Sequence, residues 1–243
     1  MMYWIIAVLA LGLIIFVHES GHYIAARRKG IPIAIFSVGF GPRLWGLKKG
    51  DTDYRISMIP LGGYVMPKLK ELEDLHRIPV NRRIAFSLGG PLANIVFATI
   101  LLSIHNAIHS GITLANILLL PPVQTVSFMI SMLVSFTTLV TDPGNMSGVV
   151  GMATSGGSMI SGGIGPLITF MILVNLNLAI FNLLPIPVLD GGKIIMAILE
   201  KVSIKTRKAQ IPITVASLIL ILILMIFATI SDIINILSGN LYH

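Results

Sequence analysis

Apolar residues in this chain gather into long continuous runs, not into the alternating or three-and-four spacing that marks one buried face of a strand or helix. Met1 to Ala26, Ile84 to Ile104, Ile164 to Leu184 and Ile211 to Ile230 each come close to the roughly 20 residues that a helix needs to cross a bilayer. They predict four transmembrane helices. A fifth apolar run, Val123 to Val140, is bracketed by Pro121 and Pro122 on one side and by Asp142 and Pro143 on the other. The character changes over residues 30–70, which are dense in Gly, Pro and β-branched or aromatic residues. There Ile31 to Val38 and Asp53 to Ile59 read as strands around the turn-rich GFGPRLWGLKKGD, predicting a membrane-associated β-hairpin or small sheet. Gly144 to Gly165, rich in Gly, Ser and Met, reads as a flexible, exposed connection.

Charge placement turns these runs into a topology. All 17 Lys and Arg fall in two windows, 12 from Arg27 to Arg83 and 5 from Lys193 to Lys208. By the positive-inside rule both windows are cytoplasmic, so four spans leave both termini on the outer side. A fifth crossing at Val123 to Val140 would put the second window outside. That run is therefore expected to be a non-spanning segment in or on the outer interface, and a re-entrant hairpin over Ile112 to Val140 satisfies the same charges. The first apolar run lacks a basic leader and continues through charged residues, so it is expected to stay as a span and not to be cleaved. The expectation is one membrane-embedded domain over residues 1–243, in the cell (inner) membrane.

Composition narrows the chemistry. At 55% hydrophobic and only 11% charged, the chain is far from the roughly 25% charged of a soluble domain. There is no cysteine, hence no disulfide framework and no thiolate nucleophile, leaving His, carboxylates and hydroxyls. The formal net charge of +7 is accounted for by the two cytoplasmic windows. No basic stripe interleaved with aromatics accompanies it, so the expected neighbour is the lipid bilayer and no nucleic acid.

Ionisable residues inside a span are costly and mark function. In FVHESGHYIAARR, His18 and His22 stand at i and i+4, so both imidazoles leave one helical face a turn apart, as two ligands of a tetrahedral Zn²⁺ require. Glu19 stands next to them as the general base of an HExxH site. Nine residues separate His18 from Arg27, about 13 Å along a helix, which puts the pair beneath the interface. A catalytic zinc site takes a third protein ligand. Asp190, in NLLPIPVLDGGK, is the one acid in the third-span region and lies near its cytoplasmic end. It is the candidate ligand, with a turn acid or helix N-cap as its other reading. Pro185 and Pro187 free backbone groups that are tolerated only inside protein or beside a watery cavity, which favours a site. His105 and His109 repeat the i, i+4 spacing without an acid between them and read as interfacial residues; the methionines from Met129 to Met159 read as gap-filling side chains, not a copper site.

HESGH in the first span, IPLGGYV after a strand, GGPLANIVFA in the second span and NLLPIPVLDGG at the end of the third, in this order, resemble the site-2 protease family of intramembrane zinc metalloproteases. The similarity is greatest to its bacterial sigma-E-regulating branch. The resemblance implies that His18, His22 and Asp190 bind one Zn²⁺ per chain and that Glu19 is the catalytic base. It further implies that Asn182 holds the substrate backbone, that Asn94 belongs to the second-span motif lining the substrate site, and that the Gly39 to Pro42 turn with Tyr54 to Tyr64, including Gly41, Gly62 and Gly63, aligns an unwound substrate. Asn94 also reads as a packing residue beside Gly89 and Gly90, and Asn182 as an amide satisfying backbone freed by the prolines. The implied partner is a single-span membrane protein, such as an anti-sigma factor or a signal-peptide remnant. The branch usually carries PDZ domains between its second and third spans; the roughly 60 residues here are too few for one, leaving substrate entry to the membrane elements or to a regulatory partner. A metal ion transporter or metal-binding membrane protein is the alternative, since intramembrane His and carboxylates also line ion paths.

Overall fold

A computed structural model of the chain describes residues 2–69, 74–141, 162–202 and 204–237. In chain order the elements are α1 (Met2–Arg28), β1 (Ile33–Lys49), β2 (Thr52–Pro67), a single turn α2 (Asp74–Arg77) and α3 (Val80–Ser110). A π-helical turn (Ala115–Leu119), α4 (Leu120–Thr141), α5 (Ile164–Leu183), α6 (Asp190–Val202) and α7 (Ile204–Leu237) follow. The fold is mostly helical with one small sheet. Among the described residues, four helical stretches are long and apolar enough to cross a membrane: Ile5–Arg28, Val80–Ser110, Ala115–Ser135 and Ile164–Leu183. The first, second and fourth are three of the expected spans. The remaining expected span, 211–230, lies within α7, where the described apolar stretch Ala209–Leu224 is shorter.

The fifth apolar run, expected as a non-spanning segment, is helical, and from Ala115 to Ser135 the chain has the length and apolarity of a span. Pro121 and Pro122 follow directly on the π-helical turn Ala115–Leu119, and the helix runs on through them without a break. Polar side chains then dock α4 on α3: the Thr99 and Thr125 hydroxyls meet at 2.9 Å, and Asn106 Nδ2 donates to Gln124 Oε1 at 2.8 Å. The connection expected at Gly144 to Gly165 falls almost wholly outside the described residues.

The core is built by α1, α3 and α5. Ala7, Ala10 and Ile14 of α1 bury against Ala98, Leu101 and Leu102 of α3 and Ile168, Ile172 and Leu176 of α5. Small residues let the helices come close where apolar lipid offers no hydrophobic drive to associate. Nearest approach is at Gly21 and Gly89, where a Cβ on either would stand 2.2–2.4 Å from the other's carbonyl oxygen. A second cluster, Ala26, Ile31 and Ile33 with Tyr23, Val65 and Phe86, fastens the sheet to the Arg28 end of α1. Tyr23 and Tyr54 join hydroxyls there at 2.5 Å.

The strands run farther than expected. β1 continues through the turn-rich stretch, since Gly39 and Gly41, both at positive φ, bend it without ending it. Ile35, Phe36, Ser37 and Val38 consequently take partners on both edges, Met66 to Gly63 on one and Asp53 to Ile56 on the other, within an antiparallel pair turned at Gly50.

An ionic latch closes the end of the bundle nearest the sheet. Glu200, near the end of α6, accepts from Arg83 of α3 and pairs with His76 of α2 at 2.9 Å. Burial works to raise the Glu200 carboxyl, but the Arg83 and His76 hydrogen bonds outweigh it and hold the group below the ordinary carboxylate range. Arg83→Met is expected to lower stability by on the order of 2 kcal/mol, the worth of hydrogen bonds to a charged group, read as a lower melting temperature in detergent at pH 7. A carboxyl depressed on folding stabilises above its unfolded value and ceases to do so as pH falls through its folded one. The difference between the two proteins should accordingly shrink below about pH 4.

Candidate metal centre and its cavity

The site is assembled by four elements. α1 supplies His18, Glu19 and His22 from its second half, at a level where α3 passes close enough for Gly90 to face the imidazoles. α5 ends just after Asn182: Leu184 is extended ahead of Pro185, as residues before proline are. The chain then folds back through Ile186 and Leu189 to start α6 at Asp190. Its first turn presses on the end of α5 so tightly that a Cβ on Gly191 would lie 2.1 Å from the Leu183 carbonyl oxygen. Glycine at this position lets Asp190 return to the helices that carry the histidines.

Three ligand atoms meet there. His18 Nε2 and His22 Nε2 are 3.2 Å apart, and Asp190 Oδ2 lies 3.3 and 3.1 Å from them. A tetrahedral zinc with bonds of about 2.0–2.1 Å sets its ligand atoms roughly 3.3 Å apart, so the triangle fits one ion. All three residues are buried, between 4% and 7% exposed. Of the described residues, this is the only group of His, Asp and Glu brought to metal-ligand spacing.

What stands behind the ligands fits a metal as well. His22 Nδ1 lies 2.7 Å from the Phe86 carbonyl oxygen, a contact in which the ring nitrogen donates, leaving the Nε2 lone pair for an ion. For His18 the corresponding partner is Asn94, fully buried, whose amide is 3.2 Å from Nδ1 and whose Oδ1 is otherwise without a partner. The two ends of an amide are interchanged by a half-turn. Turned with Oδ1 toward the ring, Asn94 accepts the Nδ1 hydrogen and leaves the His18 Nε2 lone pair for an ion. Gly90 completes the cradle, because a Cβ there would stand 2.4 and 2.6 Å from the two Nε2 atoms.

Glu19, 7% exposed, opens with the ligands into a cavity of about 300 Å³. The cavity is lined from the sheet by Phe40, Gly63, Tyr64 and Val65, from the end of α5 by Asn182, and from the turn after it by Val188 and Leu189. Gly63 passes close to the candidate base: a Cβ on it would reach within 2.7 Å of Glu19 Cγ. Asn182 lines the cavity while its amide donates to the Leu178 carbonyl at 2.9 Å. Asn94 stands behind His18, outside the cavity lining. Gly39, Gly41 and Gly62 lie off the lining too, at the bends that stack Phe40 on Tyr64, with ring centroids 6.2 Å apart.

The profile of peptidase family M50 matches residues 6–226. The chain belongs to this family. Among its relatives, a protein of Clostridium perfringens (strain 13) named as a zinc metalloprotease is 26% identical over an alignment of 331 residues, covering 96% of this chain and 99% of that protein. One of Treponema pallidum with a like name is 37% identical over 124 residues, 44% of this chain and 28% of its own. The regulator of sigma-E protease RseP of Escherichia coli (strain K12) is 43% identical over 101 residues, 37% of this chain and 22% of that protein. The chain thus spans under a third of the Treponema and Escherichia relatives, and nearly all of the Clostridium one.

Within this M50 chain, other groups of interest carry less chemistry. His105 and His109 stack at 4.2 Å, and His109 Nδ1 pairs with its own helix at the His105 carbonyl. A hollow of about 390 Å³ beside α2 has an apolar floor, and its charged rim is paired, Lys68 with Asp51 and Arg77 with Asp74. The sequence gives no role to the Phe86 carbonyl or to the Lys193 side chain; Gly90 stands in the GG of the second-span motif and Phe40 within the Gly39 to Pro42 turn. Gly90→Ala is expected to abolish metal binding, from about one zinc per chain to near none by elemental analysis, while leaving helical circular dichroism unchanged.

Proposed function

We propose that this chain is an intramembrane zinc metalloprotease that hydrolyses a peptide bond in or near a transmembrane segment of another membrane protein. The observation that carries this reading is the convergence of His18, His22 and Asp190 with Glu19 in a cavity walled by a sheet, on a helix long and apolar enough to span. Membership of a peptidase family supports it.

His18 Nε2, His22 Nε2 and Asp190 Oδ2 are the atoms that would hold the metal. Bound there, zinc supplies a Lewis acid that polarises the scissile carbonyl and acidifies water. Glu19, with its carboxylate in the same cavity, takes the proton from the attacking water and afterwards passes it to the leaving amine. Asn182 offers its amide to the substrate backbone from the end of α5. A helical substrate keeps its carbonyls in i to i+4 bonds, so a stretch must unwind before it can react. The Gly63 to Val65 side of the sheet lies where such an extended stretch would be aligned, by main-chain pairing of the β-addition kind.

In this reading the protein sits in the cell (inner) membrane with its site near the cytoplasmic side, where the Lys- and Arg-rich windows lie. The substrate is a single-span protein of the anti-sigma-factor or signal-peptide-remnant kind. The sigma-E-regulating name of the Escherichia relative and the shared motifs support that class.

Purified protein and Glu19→Gln, compared in liposomes on a panel of single-span substrates, test the proposal. Both are expected to hold about one zinc, with cleavage by the variant lower by about 10²–10⁴-fold, the usual share of a general base. Cleavage at an unaltered rate by Glu19→Gln would overturn the assignment of the base, and absence of zinc from both would overturn the metal centre.

A further inference from the structure

Asp190 uses its two carboxylate oxygens differently. Oδ2 faces both histidines, whereas Oδ1 accepts a hydrogen bond from Lys193 Nζ at 3.0 Å. Lys193 stands one turn along α6, its side chain half exposed at the cavity that holds Glu19. Its backbone N–H is fixed by the Leu189 carbonyl at 3.0 Å, and the Gly191 contact with the end of α5 fixes the turn between. The ammonium group is thus held at the one carboxylate oxygen that does not meet the ligand triangle.

We infer that Lys193 is a positioning residue that keeps Asp190 bound to the metal through a single oxygen. The inference rests on the metal centre proposed above. A carboxylate can ligate through one oxygen or both, and a second oxygen would take the coordination position that catalysis needs open. An ammonium on Oδ1 makes rotation of that oxygen toward the ion costly, because the charged hydrogen bond must break first. Partners of this kind behind a ligand also orient it, and their loss typically lowers metal affinity by about 10–100-fold. Neither consequence depends on a proton moving to or from Lys193.

The test compares the unaltered protein, Lys193→Gln, Lys193→Arg and, at the other end of α6, Lys201→Gln. Zinc affinity is measured by competition with a chelator, and the coordination number from the visible spectrum of the cobalt(II)-loaded protein, whose bands weaken as four ligands become five. Lys193→Gln is expected to lose about 10–100-fold in zinc affinity and to show the weaker bands. Lys193→Arg should regain both, and Lys201→Gln should match the unaltered protein. Unchanged affinity and spectrum in Lys193→Gln would overturn the inference while leaving the metal centre standing. Equal losses in Lys201→Gln would also overturn it, by assigning the effect to α6 as a whole. An unaltered protein that binds neither ion sinks the centre itself, and the role of Lys193 with it.

Discussion

Two imidazoles and two carboxyl groups buried in an apolar helix bundle must find one another or a cation, since unpaired ionisable groups at that depth are expensive. That requirement governs the arrangement of this chain. His18 and His22 come from one helix and need no tertiary structure to be neighbours. Asp190 comes from 168 positions farther along, and it reaches them only because three backbone approaches are closer than side chains allow: Gly21 against Gly89, Gly90 against the imidazoles, and Gly191 against the end of α5. The helix pairing, the break after Asn182 and the start of α6 all serve one contact.

Second partners make the contact specific. Phe86 and Asn94, both on α3, meet the back of each imidazole, so the helix that packs against α1 also sets which nitrogen faces the ligand triangle. Lys193 does the same for the carboxylate. Each ligand therefore has a partner supplied by regular structure, which holds a side chain more narrowly than a loop does. The Glu200 latch with Arg83 and His76 ties the other end of α6 to α3 and α2, so the helix bearing Asp190 is held at both ends.

The sheet has a different task. Its base is fastened to α1 by Tyr23, Phe36 and Tyr54, while its outer part leaves Leu44, Trp45, Leu47 and Met58 exposed. Exposed apolar side chains on both strands suit a hairpin resting in the bilayer interface. Fastened in this way, the strand at Gly63 is set beside Glu19, and only a residue without a side chain can stand there. The same element thus presents exposed apolar side chains at its tip and borders the cavity at its root.

Much of this was legible beforehand. Continuous apolar runs announced the helices, because a segment in contact with lipid all round has no polar face to hide. HESGH announced a pair of adjoining imidazoles, because i, i+4 spacing makes neighbours within a single helix. The strands were located but ended too early, since Gly39 and Gly41 serve equally to turn a chain or to bend it, and only pairing on both edges decides between the two. Charge parity bears on which side of the membrane the run at 123–140 leaves the chain, while the Thr99–Thr125 and Asn106–Gln124 contacts that seat α4 on α3 are visible only in the packing. Helix existence and the histidine pair are local properties, determined by the sequence alone. The joining of Asp190 to that pair, the place of Asn94 behind His18 and of Lys193 beside Asp190, and the nearness of Gly63 to Glu19 depend on distances between segments far apart in the chain, and those only packing decides.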